Sequence, residues 1–191
     1  MRVLPVLFLA LVGPALAAEL EIRYGALERI IAEQLFTQDG RRYVRGSRDA
    51  RCQYAYLESP RLGNESDRLR VTARFSGRSA LDLFGRCVGM GDSFDLTITA
   101  AAVPREGAIG FQDVKVTTAK DTFYTRRVRT ALTQSFGKEF KIEVKDQARR
   151  LLEQGRENPM YKPELSGFEL NAVRVTPDAL VLVVEFKLVV K

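Results

Sequence analysis

The sequence predicts an α+β fold: an antiparallel sheet packed against two helices, the second longer, and closed by a C-terminal hairpin. Three observations predict it. Apolar residues recur at helical spacing near the N-terminus and again after residue 121. The block between these segments alternates apolar and polar residues, as half-buried strands do. Two apolar runs separated by Pro177-Asp178 end the chain, which is typical of a hairpin.

The first helix is predicted over residues 26–36. Its apolar residues fall on one stripe at helical intervals, which indicates an amphipathic helix with one buried face. The stripe comprises Leu27, Ile30, Ile31 and Leu35. The following Asp39-Gly40 pair predicts where the helix has ended.

The β block is predicted to be a meander of about five strands. Its clearest member is 68–75, where Leu69, Val71, Ala73 and Phe75 share one face and arginines occupy much of the other. Four other segments are predicted strands: 52–57, 80–88, 93–101 and 109–117. Residues rich in Pro, Gly, Asn and Asp predict turns at 60–64, 89–92 and 104–107.

The second, longer helix is predicted to begin after an N-cap at Asp121 or Thr122. Its stripe comprises Tyr124, Val128, Ala131, Leu132, Ser135 and Phe136. Gly137 interrupts the pattern, and 140–144 alternates before helical spacing resumes at 148–152. A kink or a short extended piece is therefore expected there.

The closing hairpin is predicted from 168–176 and 179–190. One face of its last strand is apolar throughout: Leu180, Leu182, Val184, Phe186, Leu188 and Val190. Because Val181 and Val183 make the other face apolar too, we expect much of this strand to be covered on both sides.

Residues 1–17 have the pattern of a secretory signal peptide, with Arg2, an apolar run and a Gly13-Pro14 break before Ala15-Leu16-Ala17. Cleavage is expected after Ala17 or Ala18, leaving residues 18–191 as a single α+β domain in the periplasm or outside the cell. The alternative is a retained anchor, although the apolar run is short for a membrane span.

Export gives the two cysteines, Cys52 and Cys87, an oxidising environment, so a disulfide between them is expected. The alternative is a pair of reduced, buried thiols. Neither cysteine belongs to a C-x-x-C motif, which argues against a redox enzyme.

The sequence contains no His, so no imidazole base is present to activate a serine. Four acidic residues of the β block are the remaining catalytic candidates: Asp82, Asp92, Asp95 and Asp113. Because they stand beside Gly and Ser, as turns and strand ends require, we interpret them structurally. The expectation is a protein that is not an enzyme and that uses neither metal nor cofactor.

The formal net charge of +6 is mildly basic. Arginines cluster at 41–42, 126–129 and 149–150, and each cluster is interpreted first as a solvated face. If the charge binds a partner, an anionic membrane surface or an acidic envelope polymer is the expected one. Nucleic acid is not expected, because no aromatic residues are interleaved with these charges.

The element order and the closing stretch from Phe168 to Leu182 resemble the tubular lipid-binding (TULIP) superfamily, which includes the domains of bactericidal/permeability-increasing protein. The resemblance is strongest to its small bacterial envelope members of unassigned function. It implies a strongly curved sheet wrapped around a helix, with acyl chains held between them. The ligand-contacting residues that it implies are Leu27, Ile30, Ile31, Leu35, Val128, Leu132 and Phe136.

Two functions follow as alternatives. The first is an exported protein that binds a lipid or another long apolar ligand between its helices and its sheet. The second is a periplasmic interaction module whose apolar stripes form a solid core and whose surface binds a protein or an acidic envelope polymer. An elongated apolar cavity favours the first, and a solid core favours the second.

Overall fold

The computed structural model describes residues 17–154 and 162–190, and within them it confirms the α+β class. Apart from Ala17, the predicted signal peptide lies outside the described residues. The helices are α1 (Tyr24–Leu35), α2 (Phe123–Glu139) and α3 (Val144–Gln154). The strands are β1 (Ala18–Arg23), β2 (Arg41–Arg45), β3 (Gln53–Glu65), β4 (Arg68–Leu83), β5 (Arg86–Arg105), β6 (Ala108–Thr118), β7 (Ile142–Glu143), β8 (Pro163–Val175) and β9 (Ala179–Val190).

The larger sheet is an antiparallel meander of six strands in the order β2-β3-β4-β5-β6-β7, curled into a half-barrel. The alternation predicted in β4 is confirmed, since Leu69, Val71, Ala73 and Phe75 are all buried. We call the face that carries them the inner face of the sheet. Helix α1 packs against β3, helix α2 against β6, and β8 against β5, so the core lies within the curl.

One predicted strand and one predicted turn in this sheet are wrong. The segment 80–88, expected to be one strand, contains the turn Phe84-Gly85, where both residues have positive φ (54° and 78°). The expected turn at 89–92 is regular strand. Its glycine Gly89 is needed for close approach, because a Cβ there would lie 2.5 Å from the Cα of Ala80.

The other two predicted turns have different outcomes. The turn predicted at 60–64 is wrong, because these residues lie inside β3. The strand accommodates its Pro and Gly through a register irregularity between Glu58 and Arg61, where Ser59 has a φ of 54°. The turn at 104–107 is confirmed at Glu106-Gly107, both of which have positive φ.

The second sheet has three strands in the order β1-β9-β8 and confirms the closing hairpin. The Thr176 N–H donates to the carbonyl of Ala179 (2.9 Å) across its turn. Strand β1 was not predicted. Only the first half of β9 is covered as expected, since Leu180, Leu182 and Val184 are buried while three later residues of the same face are exposed: Phe186, Leu188 and Val190.

Helix α1 buries Leu27 and Ile31 of the predicted stripe, leaves Ile30 and Leu35 half-buried, and ends at Leu35. The Asp39-Gly40 pair then turns the chain into β2. Helix α2 continues through Gly137 to Glu139. The extended piece expected after it is confirmed as β7, which makes the remaining helical segment a separate helix, α3.

Helix α2 begins with a capping box formed by Thr122 and Thr125. The Thr125 N–H donates to Thr122 Oγ1 (3.1 Å), and the Thr122 N–H donates to Thr125 Oγ1 (2.8 Å). We expect Thr122→Ala to lower the free energy of unfolding by about 1 kcal/mol, because it leaves a helix N–H without its acceptor. Urea unfolding measures the loss.

The matched control is Thr130→Ala, in the middle of the same helix. Its hydroxyl only donates to the carbonyl of Arg126 (3.1 Å), a bond that stabilises helices little. Equal losses in the two variants would contradict the role assigned to the cap.

Candidate functional site

The first half of α2 and the inner face of the larger sheet enclose an open groove of about 380 Å³. This size lies within the range of about 300–1,000 Å³ usual for ligand pockets. Its sheet side includes Val44, Tyr54, Ala55, Phe75, Ser79 and Met90. Its helix side is Tyr124, Val128, Ala131, Leu132 and Ser135. Apart from its rim, the groove is therefore mostly apolar.

Gly77 determines how closely α2 approaches the sheet. A Cβ at this position would lie 2.7 Å from Phe75 Cζ and 2.8 Å from Tyr124 Oη, so no larger residue fits without movement of both rings. Phe75 in turn stacks on Phe94, with ring centroids 5.0 Å apart. This aromatic group forms the floor at the N-terminal end of the helix.

Three exposed arginines lie at the rim of the groove: Arg45, Arg78 and Arg127. No acidic residue is among the groove-lining residues within the described chain. The Arg45 Nη2 donates to Gln53 Oε1 (3.1 Å), and the guanidinium of Arg127 lies 5.6 Å from the ring centroid of Phe123. The rim is therefore positively charged around an apolar floor.

The phenol of Tyr124 is a polar group of the groove wall. Burial raises its pKa above the ordinary value, Asp92 and Tyr54 raise the pKa further, and Arg45 lowers it. The phenol is therefore protonated at neutral pH and is able to donate a hydrogen bond.

The structure divides the residues that the family resemblance implies. Val128 and Leu132 line the groove. Ile31, Leu35 and Phe136 instead border a space of only about 20 Å³ within the core. The remaining two pack in the core on the α1 side: Leu27 and Ile30. Contact of the whole set with a ligand stays a prediction, and the open space belongs to α2.

The groove also uses residues that the sequence did not single out for a site. These residues are Arg45, Arg78, Ser79 and Met90, which come from β2, β4 and β5 and which the sheet register brings together, whereas Arg127 belongs to the arginine cluster at 126–129. The stripe of α2 was the one available signal, because Tyr124, Ala131 and Ser135 belong to it.

The inner face of β4 and β5 continues beyond the groove as a two-stranded ribbon. We call residues 80–89 the hairpin extension: β3 pairs with β4 only as far as Ser79, whose partner on β5 is Met90, and β6 pairs with β5 only from Leu96 onwards. Leu81, Leu83 and Val88 lie on the inner face of the extension and are exposed. The apolar groove therefore opens onto an apolar ribbon.

The expected disulfide is confirmed, joining Cys52 before β3 to Cys87 in the hairpin extension, so the alternative of two free thiols is wrong. The Ala80 N–H donates to the Cys52 carbonyl (2.9 Å) beside it. The hydrogen bond therefore attaches the base of the extension, and the disulfide attaches a position near its tip, to the residue that precedes β3.

The four aspartates of the β block lie apart and have local roles. Asp82 accepts the Gly85 N–H (2.8 Å), and Asp92 accepts the Ser93 N–H (2.8 Å). Asp95 pairs with Arg74 (3.8 Å) on the face of β5 opposite Asp92. The fourth, Asp113, is exposed in β6 at φ 49°.

Within residues 17–154 and 162–190, no group of three or more His, Cys, Asp or Glu residues has an arrangement able to hold a metal ion. Two other hollows, of about 350 and 520 Å³, are lined mainly by polar and charged side chains of the α1–α3 and α3–β8 regions.

No protein-family model, curated protein or solved structure matches this chain. The TULIP resemblance therefore stays a prediction. Among the described residues, no helix is long and apolar enough to cross a membrane.

Proposed function

We propose that this protein is an exported, non-catalytic binding protein that holds a lipid or another long apolar ligand in the groove beside α2. One observation carries the proposal: an open space of about 380 Å³ with an apolar floor, continuous with the apolar face of the hairpin extension. The disulfide supports an oxidising compartment such as the periplasm.

Burial of an acyl chain supplies the affinity. Each buried methylene contributes roughly 0.8 kcal/mol, so about eight methylenes contribute about 6 kcal/mol before the entropic cost of association. Such a site needs shape and apolar surface, and it needs no catalytic motif. This explains why the sequence shows no conventional site signature.

The rim indicates which end of the ligand faces outward. An anionic head group, carboxylate or phosphate, would accept charge-assisted hydrogen bonds from Arg45, Arg78 and Arg127. The protonated phenol of Tyr124 supplies a neutral donor nearby. The ligand class that fits best is therefore an anionic amphiphile.

A bulky side chain placed in the groove should weaken the binding of an apolar ligand. We expect Ala131→Trp, a change at an exposed residue of the groove wall, to weaken the binding of a fluorescent fatty acid at least about tenfold, because the indole occupies the space of several methylenes. The measurement is a fluorescence titration of the ligand-free protein.

The control is Gln134→Trp, which places the same side chain at an exposed position of α2 that is not among the groove-lining residues. Native mass spectrometry of protein purified from its own envelope, followed by organic extraction, identifies the natural ligand. Absence of both copurified lipid and saturable fatty-acid binding would overturn the proposal.

The competing function is an interaction module, and the closed core beneath α1 favours it. Only about 20 Å³ of space remains among Ile31, Leu35, Phe136 and their neighbours. The titration separates the two functions, because a module binds no fatty acid saturably and is indifferent to Ala131→Trp.

A further inference from the structure

We propose that the hairpin extension docks the protein onto the surface of an anionic lipid bilayer. The tip of the extension, residues 81–88, lies beyond the groove-lining residues, and docking goes beyond the proposed function because it does not require a ligand in the groove. The proposal rests on the exposure of large apolar side chains at the tip, on the charges around them, and on the way the tip is held.

The tip exposes an unusual amount of apolar surface. Phe84 at the turn is fully exposed (105%), and Leu81, Leu83 and Val88 are 64%, 48% and 57% exposed. Single exposed apolar residues are ordinary, but a contiguous group marks a contact surface. Here the group sits at the end of a ribbon, where it can reach a planar surface before the rest of the sheet does.

The charges beside the tip favour an anionic partner. Arg51 Nη2 lies 3.5 Å from the Gly85 carbonyl, next to the turn. Arg51 and Arg86 form no ion pair among the described residues. The acidic residue nearest the turn is Asp82, whose carboxylate already accepts the Gly85 N–H.

Apolar side chains next to arginines match the chemistry of a bilayer interface. Aromatic and aliphatic groups enter the boundary between head groups and acyl chains, while each nearby arginine contributes attraction to anionic head groups. Residues 80–89 contain one acidic residue, Asp82, and one arginine, Arg86, so Arg51 beside the Gly85 carbonyl leaves the tip with one positive charge in excess.

The tip is also held in one conformation. Phe84 and Gly85 both have positive φ, the geometry of a tight two-residue hairpin turn, and Leu83 pairs with Arg86 directly below it. The disulfide from Cys87, in the second residue pair below the turn, ties the tip to Cys52. A preorganised tip loses little conformational entropy when it binds.

Vesicle cosedimentation tests the proposal. We expect binding to vesicles of phosphatidylglycerol and phosphatidylcholine, and binding at least about tenfold weaker to phosphatidylcholine alone. The double variant Leu83→Ser/Phe84→Ser should bind the anionic vesicles at least about tenfold more weakly, because two large apolar groups leave the interface. Arg51→Glu/Arg86→Glu, which leaves the groove-lining residues unchanged, should abolish the preference for anionic lipid.

Leu151→Ser is the control. The exposed fraction of Leu151 (59%) lies between those of Leu83 (48%) and Phe84 (105%), but Leu151 lies on α3. A thermal melt of each variant verifies folding. Vesicle binding that is unchanged in Leu83→Ser/Phe84→Ser, or reduced equally by Leu151→Ser, would overturn the proposal. So would a change in oligomeric state in the double variant without loss of vesicle binding, because the tip would then bind a second copy.

A fluorescent reporter provides an independent test, because the chain has no Trp of its own. Phe84→Trp should shift its emission to the blue on addition of anionic vesicles, and Leu151→Trp should not. Absence of the shift would contradict insertion of the tip. Fatty-acid titration without vesicles still reports on the groove, so failure of docking and failure of ligand binding are distinguishable.

Discussion

Replacing both Cys52 and Cys87 with alanine is expected to lower the free energy of unfolding by about 4 kcal/mol. The two residues are separated by 35 positions, and in the chain-entropy account a crosslink closing such a loop destabilises the unfolded chain by about this amount. The native state loses a tether as well, because residues 80–89 have no neighbouring strand on either side of the ribbon within the described sheet. Urea unfolding of the wild type and the double variant measures the difference.

Reduced wild-type protein is the control for this prediction, because reduction breaks the disulfide without substituting any residue. Its loss of stability should match that of the double variant. A loss below about 1 kcal/mol in both would contradict the role assigned to the disulfide. Amide exchange in residues 80–89 should also become faster than in β4 around Val71, where β3 and β5 flank the strand.

The elements that could be predicted from the sequence are those in which burial follows a single local period. Residues 68–75 alternate without a fault, and the structure buries the expected face. The helical stripe of α1 is similarly simple, with Leu27 and Ile31 buried. In both cases one side of the element packs against the core and the other faces solvent, so the hydrophobic pattern predicts the type of element and its buried face.

The turns of the meander were harder to predict, because a glycine occurs both in turns and in strands where a neighbouring backbone comes close. Gly89 lies in a regular strand, where a neighbouring backbone comes too close for a Cβ, and the true turn uses Phe84-Gly85. A bulky residue at positive φ is uncommon, so turn chemistry gave no warning. Strand β1 escaped notice because its pairing with β9 joins residues more than 150 positions apart, such as Ala18 and Val184.

Only the helix side of the candidate site could be predicted from the sequence. The stripe of α2 identified Val128 and Leu132, which do line the groove. Periodicity shows which residues face inward but not whether the space beyond them is filled. That depends on the other wall: the packed residues opposite α1 leave almost no space, whereas the sheet residues opposite α2, among them Ser79 and Met90, border an open groove.

This division of the two helices leads to the second large effect. Leu27→Ala is expected to lower the free energy of unfolding by about 3 kcal/mol, because Leu27 is fully buried (0% exposed) and its truncation leaves a cavity in a packed core. The same variant should retain fatty-acid binding, since Leu27 is not among the groove-lining residues. Urea unfolding measures the first quantity, and titration at a temperature where the variant is folded measures the second.

Ala131→Trp is the reciprocal variant, expected to weaken ligand binding while leaving stability nearly unchanged, because residue 131 is exposed at the groove wall. The pair therefore separates core from site in one protein. If folded Leu27→Ala lost fatty-acid binding about as strongly as Ala131→Trp, the ligand would have to reach the α1 side. The seven residues implied by the TULIP resemblance would then form one continuous site, and the groove beside α2 would be only its entrance.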